Sequence, residues 1–271
     1  MSFAGEWYKI KVLLEATLDK LFEHRCTAVT EYDSLLTRQE IDLLGYGRNF
    51  PQLTCCLGHI PVGLRNKFSA GEQTFSSGFE ASGVTAALLP AACYKIYLER
   101  RNTTLASPIF VGCVAKCFRN EDKPLDEFRA LNFTMKEFVY LGSSEGAMEH
   151  LEASQQIISR LLQKLGIAFD IETATDPFFD TSSSVARLAQ ISPTKREFVY
   201  QGHAVSSLNW HRNYFGEKFS ILLDGAPIET SCAAFGVDRW LAMFKEHFIS
   251  PEEAFEALKK VTVEHERSVA C

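Results

Sequence analysis

The sequence predicts an α+β fold, a mostly antiparallel sheet flanked by helices. Two β-prone runs, residues 109–119 and 128–141, are joined by a polar loop containing Asp122, Lys123, Pro124 and Asp126, which reads as an antiparallel hairpin with a long loop. Elsewhere helical and extended patterns do not alternate strictly, as a parallel α/β fold would require. No internal repeat or low-complexity linker divides the 271 residues, 46% of them hydrophobic, so they suit one large domain.

The first helix is expected from Trp7 to His24, where Ile10, Leu13, Leu14, Leu18, Leu21 and Phe22 recur at helical spacing along one stripe. A second begins at Thr37, whose hydroxyl caps the first turn while Glu40 reaches back, and it stops at Gly45. Pro51 then calls for extended chain. Residues 62–82 have no clean period and read as loop with a short strand. After the hairpin, a helix capped near Ser144 carries Met148, Leu151, Ile158, Leu161 and Leu165 on one face and ends at Gly166. Strands are expected over 167–173, 197–209, 217–223 and 228–235. Gly236 opens a helix carrying Trp240, Leu241 and Phe244, and Ser250-Pro251-Glu252-Glu253 opens the last with cap, first-turn proline and capping-box glutamate.

Composition narrows the function. Lys and Arg total 28 against 34 Asp and Glu, a net charge of −6, which is a poor footprint for gripping a large polyanion. No apolar run is long enough to cross a bilayer, and the N-terminus lacks a basic segment followed by an apolar one, so a soluble cytoplasmic protein is expected. The eight cysteines form no CxxC pair and are too sparse for a disulfide scaffold. They read as thiols, a few of them metal ligands.

Strand alternation places Cys117, Arg119 and Glu121 on one face of the hairpin's first strand, and Arg129, Leu131, Phe133, Met135 and Glu137 on one face of the second. If the faces coincide, guanidinium forks for phosphate, a carboxylate for an adenine amine and a ring for the base lie together: an ATP site without a P-loop. The competing reading is a solvated face of alternating charge. A second stretch weighs against it: Phe235-Gly236 ends a strand of small residues and puts Arg239 in the first turn of a helix. A cation there is unfavourable to the helix dipole by about 0.3–1 kcal/mol unless an anion is bound beside it.

With FRNE at 118–121, Arg129, Phe133 and AFGVDRW at 234–240, the chain resembles motifs 2 and 3 of the class II aminoacyl-tRNA synthetases. Within that superfamily it is most similar to the amino acid:[carrier protein] ligases, relatives of the zinc-dependent atypical seryl-tRNA synthetases. GYGRNFPQL (45–53), LLPAACYKIY (88–97), FTMKEFVYLG (133–142), TDPFFD (175–180) and LNWHRNYFG (208–216) support the match, which spans residues 37 to 245.

The resemblance implies a class II synthetase-like catalytic domain over 1–271, without a separate tRNA-binding domain. It implies ATP-dependent activation of a small amino acid, in which the substrate carboxylate attacks the α-phosphorus in line and arginines with Mg²⁺ neutralise charge. Arg119 then holds the α-phosphate, Glu121 the adenine, Arg129 the γ-phosphate, Phe133 the base, and Arg239 the other side of the triphosphate; Arg119 and Arg239 are the catalytic pair. The zinc ligands of the relatives map onto Cys93, Glu137 and Cys232, an open three-ligand site whose fourth position takes the substrate amine. Cys117 is the rival ligand, set aside because it adjoins the nucleotide arginine, and buried thiols without metal are the plain alternative. Asp176 either anchors the substrate or starts a turn at Pro177. His211 reads as a satisfied interior histidine or a contact for the acyl acceptor. Glu229 is a questionable Mg²⁺ ligand, departing from the family's pattern.

The acidic charge and the lack of a basic arm disfavour tRNA as acceptor. The implied acceptor is a phosphopantetheinylated carrier protein, with a homodimer built around residues 37–54 and Lys95, Arg100 and Arg101 as a docking patch. Ala233 and Ala234 beside the metal would suit glycine, alanine or serine. The alternatives are a truncated synthetase charging tRNA and a catalytically silent regulatory relative.

Overall fold

The computed structural model describes residues 2–26, 28–78, 80–121 and 125–269. The hairpin-loop residues Asp122, Lys123 and Pro124, and Cys271, therefore lie outside the described residues.

A seven-stranded sheet organises the chain. Its strands are β1 (Val29–Glu31), β2 (Ile109–Phe118), β3 (Asn132–Gly142), β4 (Asp170–Ala174), β5 (Lys195–Tyr200), β6 (His203–Arg212) and β7 (Glu229–Gly236), in spatial order β1-β2-β3-β7-β6-β5-β4. Only the β1/β2 pair is parallel. The long hairpin is β2 and β3, as expected, although β3 begins four residues later than the apolar run does.

Each central strand feeds two cores by alternation. Phe138, Ala233 and Phe235 enter one, closed by α1 (Glu6–Phe22), α4 (Ser144–Lys164), α7 (Val237–His247) and α8 (Pro251–Val269). Val139, Leu141, Cys232 and Ala234 enter the other, covered by α2 (Arg38–Leu44), α3 (Tyr94–Glu99) and α6 (Tyr214–Phe219). The functional cavity opens on this second face.

The helix caps follow the sequence. Thr37 Oγ1 accepts from Glu40 N at 3.2 Å, Glu40 Oε2 accepts from Thr37 N at 2.7 Å, and Gly45 ends α2 at φ 69°. The α1 stripe buries Ile10, Leu14, Leu18 and Phe22, with Leu13 and Leu21 packed at its margin. α4 is capped by Ser143, one residue before the expected Ser144. At α8, Ser250 Oγ accepts from Glu253 N, but the Glu253 carboxylate accepts from Ile249 N, one residue before the cap.

Four local expectations change. Pro51 opens a 3₁₀ turn, Pro51–Leu53, instead of extended chain, because its missing N–H is not needed at the first position and Phe50 at φ −136° absorbs the restriction before proline. The expected strand 197–209 is the hairpin β5–β6, turning at Gln201 and Gly202, both at positive φ (47° and 83°). The expected strand 217–223 opens as the end of α6, whose Phe215 and Phe219, one turn apart, are buried; only Leu222–Leu223 is extended. Residues 62–82 hold a helical turn, Arg65–Ser69, and lead into the strand Ser82–Leu88, which pairs with Leu35–Thr37 and Cys56–His59 in a separate small sheet. A short helix not foreseen, α5 (Ser184–Ile191), is capped by Ser183. Among the described residues no helix is long and apolar enough to cross a membrane.

Candidate active site

The hairpin faces do coincide. Cys117 pairs with Phe133 and Cys113 with Glu137, and Arg119 N donates to Leu131 O at 3.0 Å, extending the ladder past β2. The Arg119 guanidinium lies 5.3 Å from the centre of the Phe133 ring, and its Nε donates to Pro90 O at 3.0 Å. Glu121 Oε2 stands 3.8 Å from Arg129 Nη1.

Arg239 projects from the first turn of α7, where Gly236 supplies no side-chain cap. Two backbone carbonyls fix its guanidinium: Nε donates to Phe128 O and Nη1 to Ala204 O, each at 2.8 Å. Asp238, in the same turn, offsets the dipole and accepts from Thr134 N at 2.5 Å, tying α7 to β3. Burial, then the charges of Arg119 and Arg129, weaken the hold of Arg239 on its proton, and Glu121 offsets them only in part. Three guanidinium groups thus converge in a partly buried space, where their mutual repulsion makes a polyanion a favourable occupant.

A cavity of about 500 Å³ lies on the second face of the sheet, lined by Arg119, Phe133 and Arg239 and by Glu137, Cys93 and Cys232. Phe133 and Arg239 also line a small adjoining cleft with Glu121. The cavity therefore joins the arginine group to a buried cysteine pair.

Cys93 Sγ, Cys232 Sγ and a Glu137 carboxylate oxygen lie within 4.8 Å of one another, all buried. Three segments bring them together: Cys93 precedes α3, Glu137 is on β3, and Cys232 is on the neighbouring β7. Glu137 is held on both oxygens, accepting from Ala92 N at 2.9 Å and from Cys232 Sγ at 3.2 Å. For Cys93, the hydrogen bond with Cys232 lowers the pKa, but burial and the Glu137 carboxylate outweigh it and push the thiol up to about 11. Burial, followed by the contact with Cys93 and the charge of Glu137, pushes Cys232 well above the usual thiol range.

Two thiols and an oriented carboxylate, buried and within one coordination sphere of each other, fit a zinc-type ion. Cys117 is buried beside Phe133 and is not one of these three residues. A second group, Glu23, His24 and His265, lies away from the cavity where the end of α1 meets α8.

The far wall carries, beside Asp176, two charges that sequence reasoning missed, Lys195 and Glu197. Lys195 Nζ lies 3.0 Å from Asp176 Oδ1 and 2.9 Å from Glu197 Oε1. Burial raises the Asp176 pKa, but the Lys195 ammonium, with Arg119 and His211 behind it, more than reverses this and keeps it below the ordinary carboxylate range. Asp176 also starts the turn considered from sequence, its carbonyl accepting from Phe178 N at 2.9 Å. Only the strand register, with Lys195 opposite Asn209 beside Cys232, places that lysine at the site.

His211 is hydrogen-bonded through Nδ1 to Thr230 Oγ1 at 3.0 Å and to Tyr97 OH at 3.4 Å, and lines the cavity. Burial drives its pKa down to about 4, with Asp176 opposing only in part. Glu229 accepts from Trp210 Nε1 at 2.7 Å and is not part of the cavity wall. Of the two alanines, Ala234 lines the cavity, whereas Ala233 points into the opposite core. Lys95 is occupied, donating to Leu35 O at 2.6 Å and Asp33 at 3.2 Å, and Arg100 Nη1 donates to Ile96 O at 3.2 Å, which leaves Arg101 as the exposed member of that patch.

A mostly antiparallel sheet with this strand order, one arginine just past the end of β2 and another in the first turn of α7, has the class II aminoacyl-tRNA synthetase catalytic fold. The chain is similar to M. kandleri seryl-tRNA synthetase, solved in complex with A. aeolicus tRNASec, at a TM-score of 0.73 and 20% identity over 93% of this chain and 55% of that one. It is likewise similar to the cytoplasmic serine-tRNA ligase of Naegleria fowleri in complex with AMP, at a TM-score of 0.70 and 13% identity over 95% and 59%. It thus spans little more than half of either synthetase chain. No protein-family model matches it. Among curated proteins it is 30% identical over 239 residues to amino acid–[acyl-carrier-protein] ligase 2 of Bradyrhizobium diazoefficiens, covering 82% of this chain and 70% of that protein. It is 24% identical to the type-2 serine–tRNA ligase of Methanocaldococcus jannaschii over 54% of this chain and 36% of that one. The chain belongs to the amino acid–[acyl-carrier-protein] ligase family.

Proposed function

We propose that the protein activates a small amino acid with ATP and transfers it from the aminoacyl-adenylate to the phosphopantetheine thiol of a carrier protein. The observation that carries this reading is the single cavity joining Arg119, Phe133 and Arg239 to the Cys93, Glu137 and Cys232 cluster. In it a nucleotide and an amine-bearing substrate can lie end to end.

Arg119 holds the α-phosphate and Phe133 the adenine face, while Glu121 accepts from the adenine amine and Arg129 steadies the γ-phosphate. Arg239, fixed by the carbonyls of Phe128 and Ala204, neutralises the charge that passes to the leaving pyrophosphate. No general base is needed, because the substrate carboxylate is already the nucleophile. Cys93, Glu137 and Cys232 would hold a zinc ion, which would supply a Lewis-acidic position for the substrate's amine. Asp176, kept ionised by Lys195, anchors the amino acid from the opposite wall. Ala234 limits the room beside the cluster, which favours a small side chain. Residues 37–54 form the interface of a homodimer.

The test is amino-acid-dependent ATP–pyrophosphate exchange, followed by offering the activated acid to three acceptors. The expected result is transfer to the holo carrier protein, none to its apo form lacking the thiol, and no charging of total tRNA. Efficient tRNA aminoacylation at physiological salt would replace this reading with the synthetase alternative.

A further inference from the structure

Two anchors of the proposed reaction come from strands far apart in the sheet. Arg119 and Asn120 follow β2, and Asp176 follows β4; β3, β7, β6 and β5 lie between them, so no direct strand pairing joins the two ends. Yet the two ends face each other across the cavity, close enough for the Arg119 charge to act on the Asp176 carboxyl.

What spans them is the Asn49–Leu53 segment. Toward the Asp176 loop, Asn49 O accepts from Phe179 N at 3.0 Å, Gln52 Nε2 donates to Pro177 O at 2.8 Å, and the Phe50 and Phe178 rings lie 5.0 Å apart. Toward the arginine end, Leu53 O accepts from Asn120 N at 3.0 Å and Gln52 O accepts from Asn120 Nδ2 at 3.2 Å. The 3₁₀ turn at Pro51 stiffens the strap in the middle. Gln52 is the residue bonded in both directions, by its carboxamide to one loop and by its carbonyl to the other. Pro177 offers only a carbonyl here, so a donor is required on the Gln52 side.

We propose that Gln52 is a positioning residue: its bond to Pro177 sets the distance between the loop that anchors the amino acid and the strand end that anchors ATP. The proposal rests on the adenylate-forming reading above. In-line attack tolerates little error in that distance, and a displacement of about 1 Å can cost about 100-fold in rate. Each substrate still meets its own anchor when the strap loosens, so binding is spared and the chemical step is not.

The test compares Gln52→Met, which keeps the length and loses the donor, with Gln52→Lys, which keeps a donor. Exchange kinetics should show kcat reduced about tenfold or more in the Met variant, KM for ATP and for the amino acid within about threefold of wild type, and most of kcat recovered in the Lys variant. Wild-type kcat in Gln52→Met, raised KM values with kcat unchanged, or equal losses in both variants would overturn the proposal. Amide hydrogen exchange of the same proteins supplies a readout independent of activity. Faster exchange at Phe179 in Gln52→Met, with α7 unaffected, supports the strap, and unchanged exchange there refutes it. If wild-type protein shows no exchange reaction with any amino acid, the functional reading fails while the amide result still decides whether the strap exists.

Discussion

Replacing Arg239 with alanine separates its structural duty from its chemical one. The guanidinium makes two hydrogen bonds of 2.8 Å to the carbonyls of Phe128 and Ala204, joining the loop before β3 to the start of β6. Charge-assisted bonds of this kind contribute about 1.5–3 kcal/mol each. Water entering from the cavity re-solvates the freed carbonyls, and relief of repulsion from Arg119 and Arg129 returns part of the rest, so a net loss of about 2–4 kcal/mol is expected. The chemical loss is separate: withdrawing a charge aimed at the departing pyrophosphate should lower exchange 100-fold or more, about 2.7 kcal/mol in the barrier. Urea unfolding measures the first quantity, and exchange kinetics well below the melting temperature measure the second. Arg239→Lys restores the charge but cannot bridge two carbonyls and a phosphate at once, so it should recover only part of either. A folded Arg239→Ala protein with near-normal exchange would refute the assignment of this arginine to the triphosphate.

Removing the Arg119 guanidinium in Arg119→Ala should also abolish exchange by about 100-fold or more, with the circular dichroism spectrum retained. Protein prepared without chelator should contain about one zinc per chain by metal analysis, lost in Cys232→Ser and kept in Cys117→Ser; absence of zinc from the wild type would remove the metal centre from the scheme. Since both thiols are pushed up in the metal-free chain, metal displaces protons, and affinity should rise steeply with pH through neutrality in a chelator competition; a flat profile would contradict the ligand set. His150 is buried against the Phe138 carbonyl and, chiefly through burial, its pKa is lowered to about 4 from an ordinary value near 6.5. The unfolded chain therefore binds more protons between those values, so its contribution, about 3 kcal/mol, is present above pH 6.5 and lost as pH falls toward 4; His150→Gln should flatten that part of the stability curve. Light scattering at micromolar concentration should give the mass of a dimer.

Local signals in the sequence were reliable where local physics decides the outcome. The capping box at Thr37 and Glu40 and the paired faces of β2 and β3 needed only spacing. The hairpin at Gln201-Gly202 was missed because glutamine seldom takes positive φ, and one long β-prone run conceals the turn. Lys195 and Gln52 were missed for a different reason. Each acts across a gap that no periodicity encodes, Lys195 through strand register and Gln52 through a crossing of loops. The Cys93, Glu137 and Cys232 group was legible only through family resemblance, since its members lie 44 and 95 residues apart along the chain. Ala233 shows the limit of adjacency: it neighbours a cluster residue in sequence and faces the other way in the fold.

Ala233 also points to how the site tolerates change. On β7, Cys232 and Ala234 belong to the cavity, and Ala233 and Phe235 to the helix-covered core. The two sets are interleaved like the teeth of a zip, so substitutions on one side can accumulate without being felt on the other. A single inserted or deleted residue between the turn at Asp224-Gly225 and Cys232 would exchange the sets, driving Phe235 into the substrate space and the thiol into the core. Length changes in this stretch are therefore admissible in pairs and not singly, a parity constraint on how the sequence can drift while its chemistry persists.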